Sequence, residues 1–225
     1  MQTSFFTDVI VRKPALLQAM LAFNGVTAPV APPVPAWDVP GFDAAALGEG
    51  LARIRGANVL PWRRPSSVAE EGFWDFADES RRLAFVGAEE AERLGLTFGV
   101  CVHAPELARI IAREQVLALR EELGESLYRY GIQRGQYQLG GVRRFFLGRD
   151  VREPLLERMR RHGRLALALC CAGWPPVLRG RAGAWAAVEA EGVEGTPPEV
   201  RKAVWFGLKK LLLKEVAPQW APCFD

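Results

Sequence analysis

Thr196-Pro197-Pro198-Glu199-Val200-Arg201-Lys202-Ala203-Val204-Trp205-Phe206-Gly207-Leu208-Lys209-Lys210-Leu211-Leu212-Leu213 carries the plainest helix signal in the chain. Thr196, Pro197 and Glu199 make a start: a capping hydroxyl, a ring that presets φ, and an acid suited to the positive end of the helix dipole. Val200, Val204, Leu208, Leu211 and Leu212 then share one face, with Lys202, Lys209 and Lys210 mostly on the other. A helix with one apolar stripe needs other elements to cover it.

Upstream segments read the same way. Asp150, with Glu153 and Pro154, predicts a helix to about Ala172; Trp174-Pro175-Pro176 turns the chain, and a helix to about Val188 follows. Ser67 with Glu70 forms a capping box for a helix carrying Phe73, Trp74, Ala77 and then Leu83 or Ala84. A second helix is expected from about Glu89 to Val102. Pro105 suits the first turn of another, with Leu107, Ile110, Ile111, Leu117, Leu119 and Leu123 as its apolar content. Gly124 breaks it, and Leu127, Tyr128 and Ile132 mark a short helix beyond. Residues 134–149 read as irregular, with Gly140-Gly141 suited to a brief hairpin.

The N-terminal end differs. Phe5 to Val11 is apolar and β-branched and reads as a short strand or extended arm, and Pro14 opens a helix ending at Gly25. Five prolines between Pro29 and Pro40 make 26–41 an extended linker. Asp43 can cap a modest helix to Arg55. The expected organisation is an arm and short helix over 1–25, the linker over 26–41, and a helical domain over 42–225. Strand patterns are scarce, so the fold class is mainly α: an irregular multi-helix array with a short N-terminal extended arm.

With 49% hydrophobic and 24% charged residues the chain is an ordinary globular sequence rather than a disordered one. Its net charge of +3 is too small to argue for a nucleic-acid or membrane partner. Cys101, Cys170, Cys171 and Cys223 suggest no disulfide framework, and Cys170 and Cys171 lie in an apolar run as small hydrophobes. The N-terminus lacks the pattern of a signal peptide, and the apolar run Leu165 to Trp174 is too short to span a bilayer. A cytoplasmic location is expected.

Chemical motifs are sparse. The two histidines, His103 and His162, lie far apart in sequence, and Cys101-Val102-His103 is an isolated C-x-H where a structural zinc site needs two pairs. No serine sits in a nucleophile elbow, and no phosphate-binding glycine loop is present. A Cys170–His162 dyad has only nearby arginines to activate its thiol. The carboxylates between Glu70 and Glu92 read as an acidic solvated helix face. No catalytic, metal-binding or cofactor-binding residue is assigned, and no cofactor is expected.

The sharpest positive feature is the stretch Arg143 to Arg164. Arg143, Arg144, Arg149, Arg152, Arg158, Arg160, Arg161 and Arg164 stand against Asp150, Glu153 and Glu157. Three readings compete: a solvated helix face, a docking surface for an acidic protein, and phosphate-backbone binding. Trp37 and Trp62 lie in proline-bearing segments, either folded back onto the core or acting as interface anchors. The residues assigned to partner binding are Arg143, Arg144, Arg149, Arg158, Arg160, Arg161, Arg164 and Trp62.

One resemblance emerges over about residues 85–190. Its residues are Glu89-Glu90-Ala91-Glu92-Arg93-Leu94-Gly95, Ala104-Pro105-Glu106-Leu107-Ala108-Arg109-Ile110-Ile111, Val116-Leu117-Ala118-Leu119-Arg120-Glu121-Glu122-Leu123-Gly124 and Leu127-Tyr128-Arg129. Gly163-Arg164-Leu165 and Trp174-Pro175-Pro176-Val177-Leu178-Arg179-Gly180-Arg181 continue it. Together they resemble the K-type accessory subunit (SctK-like) of the bacterial type III secretion sorting platform. The proline-bearing N-terminal region departs from that family's pattern. The resemblance implies a non-enzymatic adaptor, cytoplasmic and peripheral to an inner-membrane secretion complex. Its implied partners are a membrane-ring protein's cytosolic domain and the sorting-platform pods, with no catalytic residue to carry over. Two alternatives stay open: a nucleic-acid-binding regulator using 143–164, and a small helical enzyme whose site assembles from distant residues.

Overall fold

Phe5, Val9 and Leu16 share a helical period, and the chain follows it. In the computed structural model, which describes residues 2–25, 72–147, 152–187 and 192–224, α1 spans Gln2–Arg12 and α2 spans Pro14–Phe23. The expected extended arm is therefore a helix. Three consecutive β-branched residues favour a strand, but the helix brings Phe5 and Val9 to one side; Val9 is fully buried while Ile10 and Val11 are exposed. Burial overrides propensity. Pro14, at the first position of α2, gives up no helical hydrogen bond, and Leu17 N–H bonds the Lys13 carbonyl at 3.0 Å.

The described residues fall into two compact units, Gln18–Trp74 and Met1–Leu17 with Asp75–Asp225. In the first, Gly25 ends the helix in the left-handed region with φ 69°. Asn24 pins the returning chain there: its Nδ2 donates to the Phe73 carbonyl and its Oδ1 accepts from Phe73 N–H, both at 2.8 Å. Phe73 and Trp74 belong to no helix, contrary to the capping-box expectation. Ser67, Glu70, the 26–41 linker, the 43–55 helix, Trp37 and Trp62 lie outside the described residues.

In the larger unit a 3₁₀ turn, Glu79–Phe85, starts at Asp78, whose side chain accepts from Ser80 N–H at 3.0 Å. The helices that follow are α3 (Ala88–Leu107), α4 (Arg113–Leu123), α5 (Glu125–Gln133), α6 (Arg143–Phe146), α7 (Leu155–Cys171), α8 (Pro176–Ala182) and α9 (Pro198–Leu211). No described residue forms a strand. The sequence is right on α5 and α9, although Thr196 donates to the Gly192 carbonyl instead of capping α9. At Gly140-Gly141 the chain makes a 3₁₀ turn into α6 rather than a hairpin. The helix after Trp174 stops at Gly183, whose φ of 102° no ordinary L-residue tolerates.

α3 is the hub. Glu89 and Glu90 occupy its first turn, and Leu94, Phe98, Val100, Val102 and Leu107 are buried around its circumference. A helix buried on all sides needs small residues where neighbours cross, and α3 supplies Gly95 and Gly99 against α7. A Cβ on Gly99 would stand 1.9 Å from the Met159 carbonyl oxygen, and one on Gly163 would stand 2.1 Å from that of Gly95. Backbone meets backbone there. Around the crossing, Val100 and Leu107 of α3 and Met159 of α7 pack with Leu119 and Leu123 of α4 and Tyr128 of α5.

Pro105 does not open a helix: it lies inside the last turns of α3. Its missing N–H leaves the Cys101 carbonyl without the usual i+4 donor. The Arg143 guanidinium fills that place, donating to Cys101 O at 3.2 Å. This is why α3 runs through its proline.

Candidate functional site: the polar network around α3 and α7

The arginines singled out from sequence split into two groups. Arg143 is spent on backbone: beyond Cys101 it donates to the carbonyls of Gln136 at 2.6 Å and Gly135 at 3.3 Å, closing the irregular segment onto α3. Arg158 is 9% exposed, donates to the Glu153 carbonyl at 3.1 Å and grips both carboxylate oxygens of Glu106 on α3, one at 2.9 Å. Arg160 bridges Glu157 at 2.8 Å and Glu122 of α4 at 3.0 Å. Arg161 meets Glu153 at 3.1 Å.

Arg144 and Arg164 are exposed, with no ion pair among the described residues. Arg149 and Trp62 lie outside the described residues. Half the assigned residues thus bond within the chain: Arg158 is buried, Arg143 and Arg161 are half-buried, and Arg160 makes its two bridges at the surface. The local surplus counted along the chain shrinks because Glu106 and Glu122 reach in from helices distant in sequence. A continuous phosphate-binding stripe does not form among the described residues.

Two residues far apart in sequence come together. His103 of α3 and His162 of α7 are each 2% exposed, with Nε2 of His103 2.9 Å from Nδ1 of His162. Glu106 Oε2 lies 3.5 Å from His103 Nδ1, and the ring of Phe146 packs against His162 with centroids 5.6 Å apart. Burial, then the positive charge of Arg158, pushes His103 below its ordinary value of 6.5. The hydrogen bonds from Arg158 hold Glu106 below the usual carboxylate range. One signal for this pair was present in the sequence: Gly95, Gly99 and His103 recur every four residues on one helix face, and His162 precedes Gly163.

All four cysteines are buried and unbridged. Burial pushes the Cys101 thiol up to about 12, which makes it a poor nucleophile. The adjacent Cys171 and burial together raise Cys170 well above its ordinary value. No cluster of three metal-ligating side chains occurs among the described residues, and no described helix is long and apolar enough to cross a membrane.

Two surface grooves flank the network. One, of about 380 Å³, is lined by Gly95, Leu96, Leu167 and Trp185 with Arg160, Arg164, Glu92 and Glu157 at its edge. The other, of about 510 Å³, lies among Leu96, Leu123, Leu127 and Tyr130 with Glu89, Glu92 and Glu215. His103 and His162 line neither. Comparison with family models, curated proteins and solved structures returns no match.

Proposed function

We propose that this chain is a non-enzymatic helical adaptor of a bacterial type III secretion system. It acts in the cytoplasm against an inner-membrane complex, linking the ring protein's cytosolic domain to the sorting-platform pods. The observation that carries the reading is how the polar groups are used. Arg143, Arg158, Arg160, Arg161 and the two histidines bond backbone, carboxylates or each other, fastening α3, α4 and α7 together. The residues that carry the family resemblance lie on α3, α4, α5, α7 and α8, the elements this network fastens or adjoins. Such a body offers its partners a stiff surface, which lowers the ordering cost of association.

Outside the network, Arg144 and Arg164 remain available to an acidic partner, alongside exposed apolar residues such as Ile111 and Leu117. The test is capture of purified ring-protein cytosolic domain and pod protein by the full chain at mild salt. Binding to both is expected, with R144E/R164E weakening it while leaving the fold intact. No binding to either contradicts the reading. A salt-steep gel shift with duplex DNA would instead favour the nucleic-acid alternative.

A further inference from the structure

The adaptor reading leaves His103 and His162 without a task, yet they sit where α3 and α7 approach most closely. Their ring planes lie within 10° of each other, with centroids 4.9 Å apart and the facing nitrogens at 2.9 Å. Two ring nitrogens at that distance share one proton: two protons would collide, and none would oppose two lone pairs. Glu106 decides which ring supplies it. A proton on His103 Nδ1 faces the carboxylate 3.5 Å away, whereas a bare lone pair there would face negative charge. His103 is therefore the Nδ1–H tautomer, its Nε2 accepts, and His162 donates from Nδ1. The polar chain then runs from His162 through His103 to Glu106 and on to Arg158.

We propose that this pair is an acid-sensitive latch on the α3–α7 crossing, closed with one shared proton and opened when a second enters. A second proton creates a cation on rings that are each only 2% exposed. Among the described residues, the charged groups that act on His103 are Glu106 from α3 and Arg158 and Arg161 from α7, and the Phe146 ring of α6 packs against His162. Glu106 is already bound by Arg158, so the new charge meets two guanidiniums and one carboxylate that is already neutralised. The backbone contacts at Gly99 and Gly163 leave the rings no slack, and a displaced ring moves a helix.

The sign follows from linkage. His103 takes its proton less readily folded than unfolded, so the latch is fully closed above the unfolded value of 6.5 and weakens as pH falls through it. Each unit of depression multiplies the opening equilibrium about tenfold.

Amide exchange of residues 159–167 in the full chain, compared at about pH 7.5 and about pH 5.5, tests this. After correction for intrinsic exchange chemistry, opening should increase at the lower pH, by up to about tenfold for uptake of a single proton over this interval. H103Q/H162N provides the control: the glutamine oxygen can accept where Nε2 did, the asparagine nitrogen can donate where Nδ1 did, and neither titrates. It should show no change between the two conditions. An unchanged wild type, or equal acceleration in both proteins, overturns the proposal. Imidazole ¹⁵N shifts of the wild type give the second readout, which needs no variant. Nδ1–H on both rings at neutral pH is expected, and two independent titrations near the ordinary histidine value would refute the latch.

Discussion

α3 and α4 are neighbours in sequence and opposites in environment. Twelve of the twenty residues of α3 are buried, including His103, Thr97 and two crossing glycines; α4 buries only Leu119 and Leu123 of its eleven. α3 is packed against by several elements, so it depends on small side chains, a substitute donor for its proline-freed carbonyl and internal partners for Thr97 Oγ1 and His103 Nε2. α4 is an ordinary amphipathic helix, held by one stripe and otherwise wet, with Leu117 52% exposed. The comparison teaches that position in the packing, rather than residue type, decides what a charge or a histidine does in this fold. Arg158 and Arg120 are both helix arginines facing carboxylates, but only the first is buried.

The sharpest break of that contrast is Gly99→Ala. The new methyl collides with the Met159 backbone, which cannot rotate away, and a loss of about 3 kcal/mol or more is expected from urea unfolding midpoints. An exposed alanine-for-glycine change in a helix would stabilise instead, so the sign alone is informative.

On α4 the pair Leu119→Ala and Leu117→Ala should separate cleanly. Leu119, packed with Val100 and Met159, should cost about 2–3 kcal/mol, whereas Leu117 should stay within about 0.5 kcal/mol of wild type in the same titration. Similar losses at both positions would mean that α4 is covered on its outer face.

Arg158→Met should have a smaller effect, about 1–2 kcal/mol, because Glu106 is 46% exposed and water can take over part of its solvation. Its signature is pH dependence. Arg158 holds Glu106 below its ordinary 4.5, so the pair's contribution is complete above that value and disappears as pH falls below it. Stability measured between about pH 6 and about pH 3 should therefore fall less steeply in the variant than in wild type.

Much of the fold was legible. α9 declared itself through a stripe and a start signal, α5 through its apolar positions after Gly124 and the body of α7 through a start signal, because in each case local pattern and burial agree. Sequence failed where tertiary partners overrode local rules. Val9-Ile10-Val11 prefers a strand but is helical because the residues to be buried fall at helical spacing. Pro105 reads as a boundary but is carried inside α3 by a donor 38 residues away in the chain, Arg143. The candidate site was less legible still. Counting charge from 143 to 164 could not see Glu106 and Glu122, and separation in sequence hid the fact that His103 and His162 face each other across two glycine-lined helices.

Native-state hydrogen exchange at neutral pH, read residue by residue over α3 and α4, tests the central contrast most directly. Amides of α3 from Gly95 to His103 should exchange only through global unfolding, while those of α4 from Arg113 to Arg120 should open at markedly lower free energy. Equal protection of the two helices, or faster exchange in α3, would contradict the picture of a fastened hub with a lightly held rim.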